Sequence, residues 1–168
     1  MMNLYVLRHG IAVEVGTPGY PKDADRPLIA KGERRLWQVA EAMEAMELSF
    51  DLILSSPYVR ARRTAEIIAE AFNSRKKLEI SADLAPDGSV KKLVEFLNGL
   101  EPAPREVLLV GHEPYLSGLI SLLASGDETH AVTMKKGGLC NISVDSLKYG
   151  RCASIEWLLT PKQMALMS

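Results

Sequence analysis

Apolar and polar positions along this chain fall into two alternating periods. Leu4–Leu7 and Val107–Val110 are unbroken apolar runs, the pattern of a strand covered on both faces. Asp51–Ser55, Leu78–Ile80, Leu139–Val144 and Cys152–Leu159 read as four further strands, with Leu78–Ile80 the weakest. Between the strands the period becomes helical. Leu36, Val39, Ala40 and Met43 recur at i, i+3, i+4 and i+7. Ala61, Thr64, Ala65 and Ile68 do the same, continued by Ala69 and Phe72. Leu93, Phe96, Leu97 and Leu100 form a third helical stripe, and Leu116, Leu119, Ile120 and Leu123 a fourth.

Strand and helix in alternation imply right-handed crossovers and a largely parallel sheet with helices on both faces. The predicted fold class is therefore α/β, a single three-layer α/β/α domain spanning residues 1–168. The last two strands are joined through Asp145–Gly150 with no helix between them, so they are expected to form a hairpin at the sheet edge. Residues 14–27 hold Gly16, Pro18, Gly19, Pro21 and Pro27 and read as a long loop after the first strand. Loops of that length in compact domains are usually functional or mobile.

Composition narrows the function classes. The chain has 168 residues, 47% apolar and 24% charged, which excludes a disordered, collagenous or disulfide-scaffold protein. Twenty Lys and Arg against twenty-one Asp and Glu leave a formal charge of −1, so neither a nucleic-acid nor a membrane-surface partner is expected. No apolar run reaches the roughly 18–20 residues that cross a bilayer. The N-terminal Met-Met-Asn-Leu-Tyr-Val-Leu has no basic region ahead of it and does not read as a signal peptide. Cys140 and Cys152 are expected to be reduced thiols of a cytoplasmic protein.

In a doubly wound sheet the ligand lies beyond the carboxyl ends of the strands. Arg8-His9-Gly10 follows the first strand, Ser56-Pro57-Tyr58-Val59-Arg60-Ala61 the second, and Gly111-His112-Glu113-Pro114 the strand at Val107–Val110. Two histidines and two arginines thus meet on one rim. Guanidinium forks match phosphate oxygens in bidentate fashion. A neutral imidazole is available near pH 7 as nucleophile or base. Gly10 is expected to let the backbone approach an oxyanion, and the helix after Ser56 to turn its N–H groups toward it. This reading reaches phosphate chemistry but leaves open whether His9 or His112 is the nucleophile.

The blocks Leu7-Arg8-His9-Gly10, Asp25-Arg26-Pro27-Leu28…Lys31-Gly32, Ser55-Ser56-Pro57…Arg60-Ala61…Thr64-Ala65, Leu84-Ala85-Pro86-Asp87-Gly88 and Val110-Gly111-His112-Glu113-Pro114 occur in this order. With them the chain resembles the histidine phosphatase superfamily, and more narrowly the SixA-type phosphohistidine phosphatases. The resemblance implies a phosphoglycerate-mutase-like fold and a two-step transfer, in which His9 takes the phosphoryl group and water releases it. It makes Arg8, Arg60 and His112 the residues around the phosphoryl oxygens, with Gly10, Arg26 and Asp87 as further substrate-binding candidates. Arg62 and Arg63 read as a solvated helix face, and His130 as a loop residue. No metal or other cofactor is expected.

Relatives that cleave phosphoesters commonly carry a Leu-x-Glu block whose Glu protonates the leaving alcohol. The corresponding stretch here reads Leu84-Ala85-Pro86, with Asp83 and Asp87 as neighbours. An alkoxide needs such an acid more than an imidazole does. The expected substrate is therefore the phosphohistidine of a signalling or phosphotransfer protein. The alternatives are a phosphomonoesterase for a small metabolite and, from another class, a non-catalytic phosphoprotein-binding module.

Overall fold

The computed structural model describes residues 1–167. The elements follow one another as β1 (Met2–Arg8), α1 (Ala30–Ala45), β2 (Leu52–Ser55), α2 (Val59–Ala71), β3 (Leu78–Ile80), α3 (Val90–Asn98), β4 (Glu106–Gly111), α4 (Tyr115–Ser125), β5 (Leu139–Val144), β6 (Ala153–Leu159) and α5 (Pro161–Met164). Short 3-10 turns occupy Asp23–Asp25, Arg75–Lys77 and Ala82–Leu84.

The six strands make one sheet in the order β3-β2-β4-β1-β5-β6. β1, β2, β3 and β4 run parallel, while β5 pairs antiparallel with β1 and β6 antiparallel with β5. The expected hairpin at the edge is therefore present. Side chains of the strands alternate between two cores. Leu4, Val6, Leu54, Val107 and Leu109 pack with α3 and α4 residues such as Leu93, Leu97, Leu116 and Ile120. Tyr5, Leu7, Ile53, Leu108 and Val110 pack on the other face with Val39, Met43, Ala65 and Ile68 of α1 and α2. Unbroken apolar runs in β1 and β4 follow directly, because both faces of these strands are covered.

Boundaries depart from the expected ones where periodicity had no hold. α1 begins at Ala30, ahead of its first core position. β6 begins at Ala153, since the Cys152 N–H bonds the Leu123 carbonyl outside the ladder. α5 is too short for a helical stripe, although Thr160-Pro161-Lys162-Gln163 carries a capping box with Pro at the first helical position.

The register positions the site. Arg8 pairs with Gly111, and Ser55 pairs with Val110, so β1, β4 and β2 end side by side. The chain leaves β1 toward one side of the sheet and leaves β4 toward the other. A crevice opens at such a switch of direction, beyond the carboxyl ends of the strands.

Candidate active site

His9, Ser56 and His112 each stand one residue beyond one of these three strand ends. Their backbones remain laddered past the sheet: the His9 N–H donates to the Gly111 carbonyl at 3.0 Å and the Ser56 N–H to the Val110 carbonyl at 3.0 Å. The cleft they reach has a volume of about 390 Å³, and Arg8, Arg26, Arg60, Asp23 and Pro86 line it beside the two histidines.

His9 is buried, and its ring is oriented by its own neighbour. Nδ1 lies 2.7 Å from the Gly10 carbonyl oxygen, which can only accept, so the ring hydrogen is on Nδ1 and the lone pair on Nε2. The Arg60 Nε–H donates to that Nε2 at 3.3 Å. Burial is the main cause that pushes the His9 pKa down to about 3; His112, Arg60 and Arg8 add to it, and the Gly10 contact opposes it. The imidazole is therefore neutral at pH 7, a lone pair aimed beside a guanidinium.

His112 faces it with ring centroids 5.1 Å apart. Its Nε2 is 2.7 Å from the Ser56 hydroxyl, which already accepts from the Tyr58 N–H. Giving the Ser56 hydrogen to Nε2 assigns the His112 ring hydrogen to Nδ1. That atom is buried and has no hydrogen-bond partner among the described residues, as is also true of the Arg8 Nε. Two orphaned polar groups at the edge of one cleft suit an anion better than any apolar guest. Burial first, and then the charge of Arg60, pushes the His112 pKa down to about 4.

The arginines are held before any substrate arrives. Arg8 Nη1 donates to the Met134 carbonyl at 2.8 Å, and burial lowers its pKa from the ordinary value. Arg60 is buried on α2 and donates through Nη1 to the Asp23 carbonyl at 2.7 Å and through Nη2 to the Asp23 carboxylate at 3.0 Å. Arg26 grips the same carboxylate at 2.7 Å and also bonds the Val13 carbonyl. Burial alone would raise the Asp23 carboxyl. The hydrogen bonds from Arg26 and Arg60 outweigh it and hold the group below the usual carboxylate range.

Of the residues read from the sequence, the structure gathers Arg8, His9, Arg26, Arg60 and His112 around the cleft. Asp87 is exposed and does not line it; Pro86 does. Gly10 does not line it either. A Cβ there would meet Leu36 Cδ1 at 2.7 Å, so the missing side chain serves packing against α1 rather than approach to an oxyanion. Its carbonyl fixes the His9 ring, and its N–H donates to Thr64 Oγ1 at 3.1 Å. Arg62 and Arg63 pair with Glu66 and Glu33 outside the site, and His130 is exposed. Asp23, Ser56 and Thr64 were not singled out as site residues. The signal for the last two was present in the block Ser55-Ser56-Pro57…Thr64, but Asp23 sits in a loop whose fold no periodicity foretells.

No cluster of three or more His, Cys, Asp or Glu able to hold a metal ion occurs among the described residues, and none of the described helices is long and apolar enough to cross a membrane.

Comparison with known proteins agrees with this geometry. Residues 4–85 match the family model of the histidine phosphatase superfamily, branch 1. An uncharacterised protein of Picosynechococcus sp. is 39% identical over 142 residues, covering 84% of each chain. The phosphohistidine phosphatase SixA of Escherichia coli is 25% identical over 163 residues, covering 95% of this chain and 94% of its own. The solved structure of the protein histidine phosphatase SixA complexed with tungstate superposes with a TM-score of 0.81 at 23% identity, covering 96% of this chain and 98% of that one. The two histidines and the arginines around them thus stand in the cleft of a protein that belongs to the histidine phosphatase superfamily and is similar to SixA.

Proposed function

We propose that the protein is a phosphohistidine phosphatase acting on a phosphorylated protein, with His9 as nucleophile. The observation that carries this reading is the His9 ring, whose Nδ1 is tied to the Gly10 carbonyl and whose Nε2 lone pair is turned toward Arg60. Nε2 attacks phosphorus as the P–N bond to the substrate imidazole breaks, and that ring, already protonated on its other nitrogen, leaves as neutral imidazole with no proton needed from the protein. Water then attacks the phosphoryl group on His9, which releases orthophosphate and restores the free ring. Arg8, Arg60 and the Nδ1–H of His112 surround the phosphoryl oxygens and stabilise charge in both steps.

The substrate class rests on the proton donors at the cleft. Asp23 is held as a carboxylate by two arginines, and Pro86, the third position of the Leu84-Ala85-Pro86 stretch, lines the wall. Glu113 and Glu14 also line the cleft, but one Glu113 carboxylate oxygen is engaged by the Ser117 N–H at 2.9 Å and Glu14 is exposed on the loop after β1. With neither assigned as the acid for a leaving alcohol, alkyl esters are expected to lose the roughly 10²–10⁴-fold that general acid catalysis is worth. The expected order of kcat/KM is phosphohistidine protein, then aryl phosphate, then alkyl phosphate, unchanged by EDTA because arginines supply the positive charge. His9→Ala abolishes turnover, and rapid quench of the wild-type protein traps phosphate on His9. Equal kcat/KM for an alkyl phosphate and phosphohistidine, or activity surviving in His9→Ala, refutes the reading.

A further inference from the structure

A second groove, of about 560 Å³, adjoins the catalytic cleft and shares Arg8 and Lys136 with it. Arg35 of α1, Lys135, and Lys162 of α5 complete its charge, and no acidic side chain lines it. In a chain of net charge −1 this is a local concentration of cations rather than a general basicity. None of Arg35, Lys135, Lys136 and Lys162 forms a salt bridge among the described residues. All four are exposed, while Ile11 and Pro161 give the groove an apolar floor.

The lysines stand on a turn that is clipped to the catalytic strand. The Gly137 N–H donates to the Arg8 and His9 carbonyls at 3.0 and 3.1 Å, and the Gly138 N–H to the Lys135 carbonyl at 2.7 Å. Gly137 has φ +77°, a conformation open to glycine at little cost, and a Cβ there would meet Pro161 at 3.2 Å. Lys135 and Lys136 are thus presented at a fixed place beside the nucleophile's own backbone, with α5 packed against the turn.

We infer that this groove docks an acidic segment of the phosphoprotein substrate, next to the phosphorylated residue. The inference rests on the protein-phosphatase reading above. Cationic heads at the rim match carboxylates, and the apolar floor with the lysine and arginine stems matches the carbon skeleton of a peptide. A compact, strongly hydrated polyanion would make no use of that floor. Because Lys136 and Arg8 belong to both cavities, a chain lying in the groove leads directly to His9.

Two fluorescein-labelled peptides test this, identical except that one has two glutamates on each side of a central histidine and the other has glutamines there. Binding is measured by anisotropy with the unphosphorylated peptides, and turnover with the chemically phosphorylated ones. Three exposed ion pairs of ordinary strength together amount to roughly ten-fold. The expected result is that wild-type protein binds the glutamate peptide roughly ten-fold tighter. The combined variant Arg35→Gln, Lys135→Gln, Lys162→Gln loses that preference but keeps wild-type kcat/KM on an aryl phosphate. Raising ionic strength from about 0.01 to about 0.15 M, which shortens the Debye length from about 30 to about 8 Å, weakens the preference in the wild type only. Equal binding of the two peptides overturns the inference. So does tripolyphosphate binding that depends on these three residues while glutamate-peptide binding does not. Selective peptide binding without turnover of the phosphorylated peptide would leave the groove assigned and refute the phosphohistidine reading instead.

Discussion

Each nitrogen of Arg60 makes one contact in the cleft, Nε to His9 and Nη1 and Nη2 to Asp23, which leaves a second hydrogen on each Nη for an anion. A lysine has one point of charge and cannot serve the ring nitrogen and an anion at once. Arg60→Lys should therefore lower kcat/KM on the order of 10²-fold or more. Arg62→Lys and Arg63→Lys, whose partners Glu66 and Glu33 lie outside the site, should remain near wild type. Equal losses at the three positions would contradict the assignment. The histidines give a second prediction. With pKa values near 3 and 4 in the folded protein, His9 and His112 bind protons only below the range where an unfolded chain already binds them, near 6.5. The unfolded state thus takes up more protons as pH falls from 7 toward 3, and stability falls with it. The Cε1–H resonances of both rings should stay at their neutral positions down to pH 5, and titration near pH 6.5 would exclude the buried neutral pair. Residue types at this scale were legible from the motif blocks. The tautomers and the Asp23 contact were not, because both depend on backbone carbonyls and a loop that no motif describes.

Elements reach the site through a few clips, of which Thr64 is the clearest. Its hydroxyl donates to the Arg60 carbonyl at 2.7 Å and accepts the Gly10 N–H at 3.1 Å, tying α2 to the chain that leaves β1. Thr64→Val keeps the volume but leaves a buried N–H unpaired, which costs about 1–3 kcal/mol. The expected outcome is a lower melting temperature and a reduced kcat, both restored by Thr64→Ser. Unchanged melting and kcat would mean that the clip holds nothing. Helical stripes and apolar runs were readable because each element packs against a neighbour at its own period. The edge strand β3 was faint, being three residues long and mostly exposed. α5 was missed because a single turn has no period at all, and its capping box is a weaker sign than a stripe.

At the scale of the whole molecule, the alternation of strand and helix already implied a site beyond the strand ends, but not which strands would be neighbours. That was decided by β4 inserting between β1 and β2, so that residues more than a hundred positions apart, His9 and His112, meet across one crevice. The hydrogen bonds that continue this ladder past the strand ends bear on how the molecule opens. The His9 and Ser56 amides are bonded to the carbonyls of Gly111 and Val110, the buried last two residues of the central strand β4, whereas the loop before Asp23 holds itself by short local bonds such as Thr17 N–H to Glu14 and Tyr20 N–H to Thr17. Amide hydrogens released only by global unfolding exchange far more slowly than those freed by local opening. In deuterated buffer His9 and Ser56 should be among the last amides to exchange, and Thr17 and Tyr20 among the first. Exchange of His9 at the loop's rate would show that the site comes apart by itself. Retention of its proton would mean that the nucleophile's backbone stays in register for as long as the sheet exists, so that heat removes activity and fold in one transition.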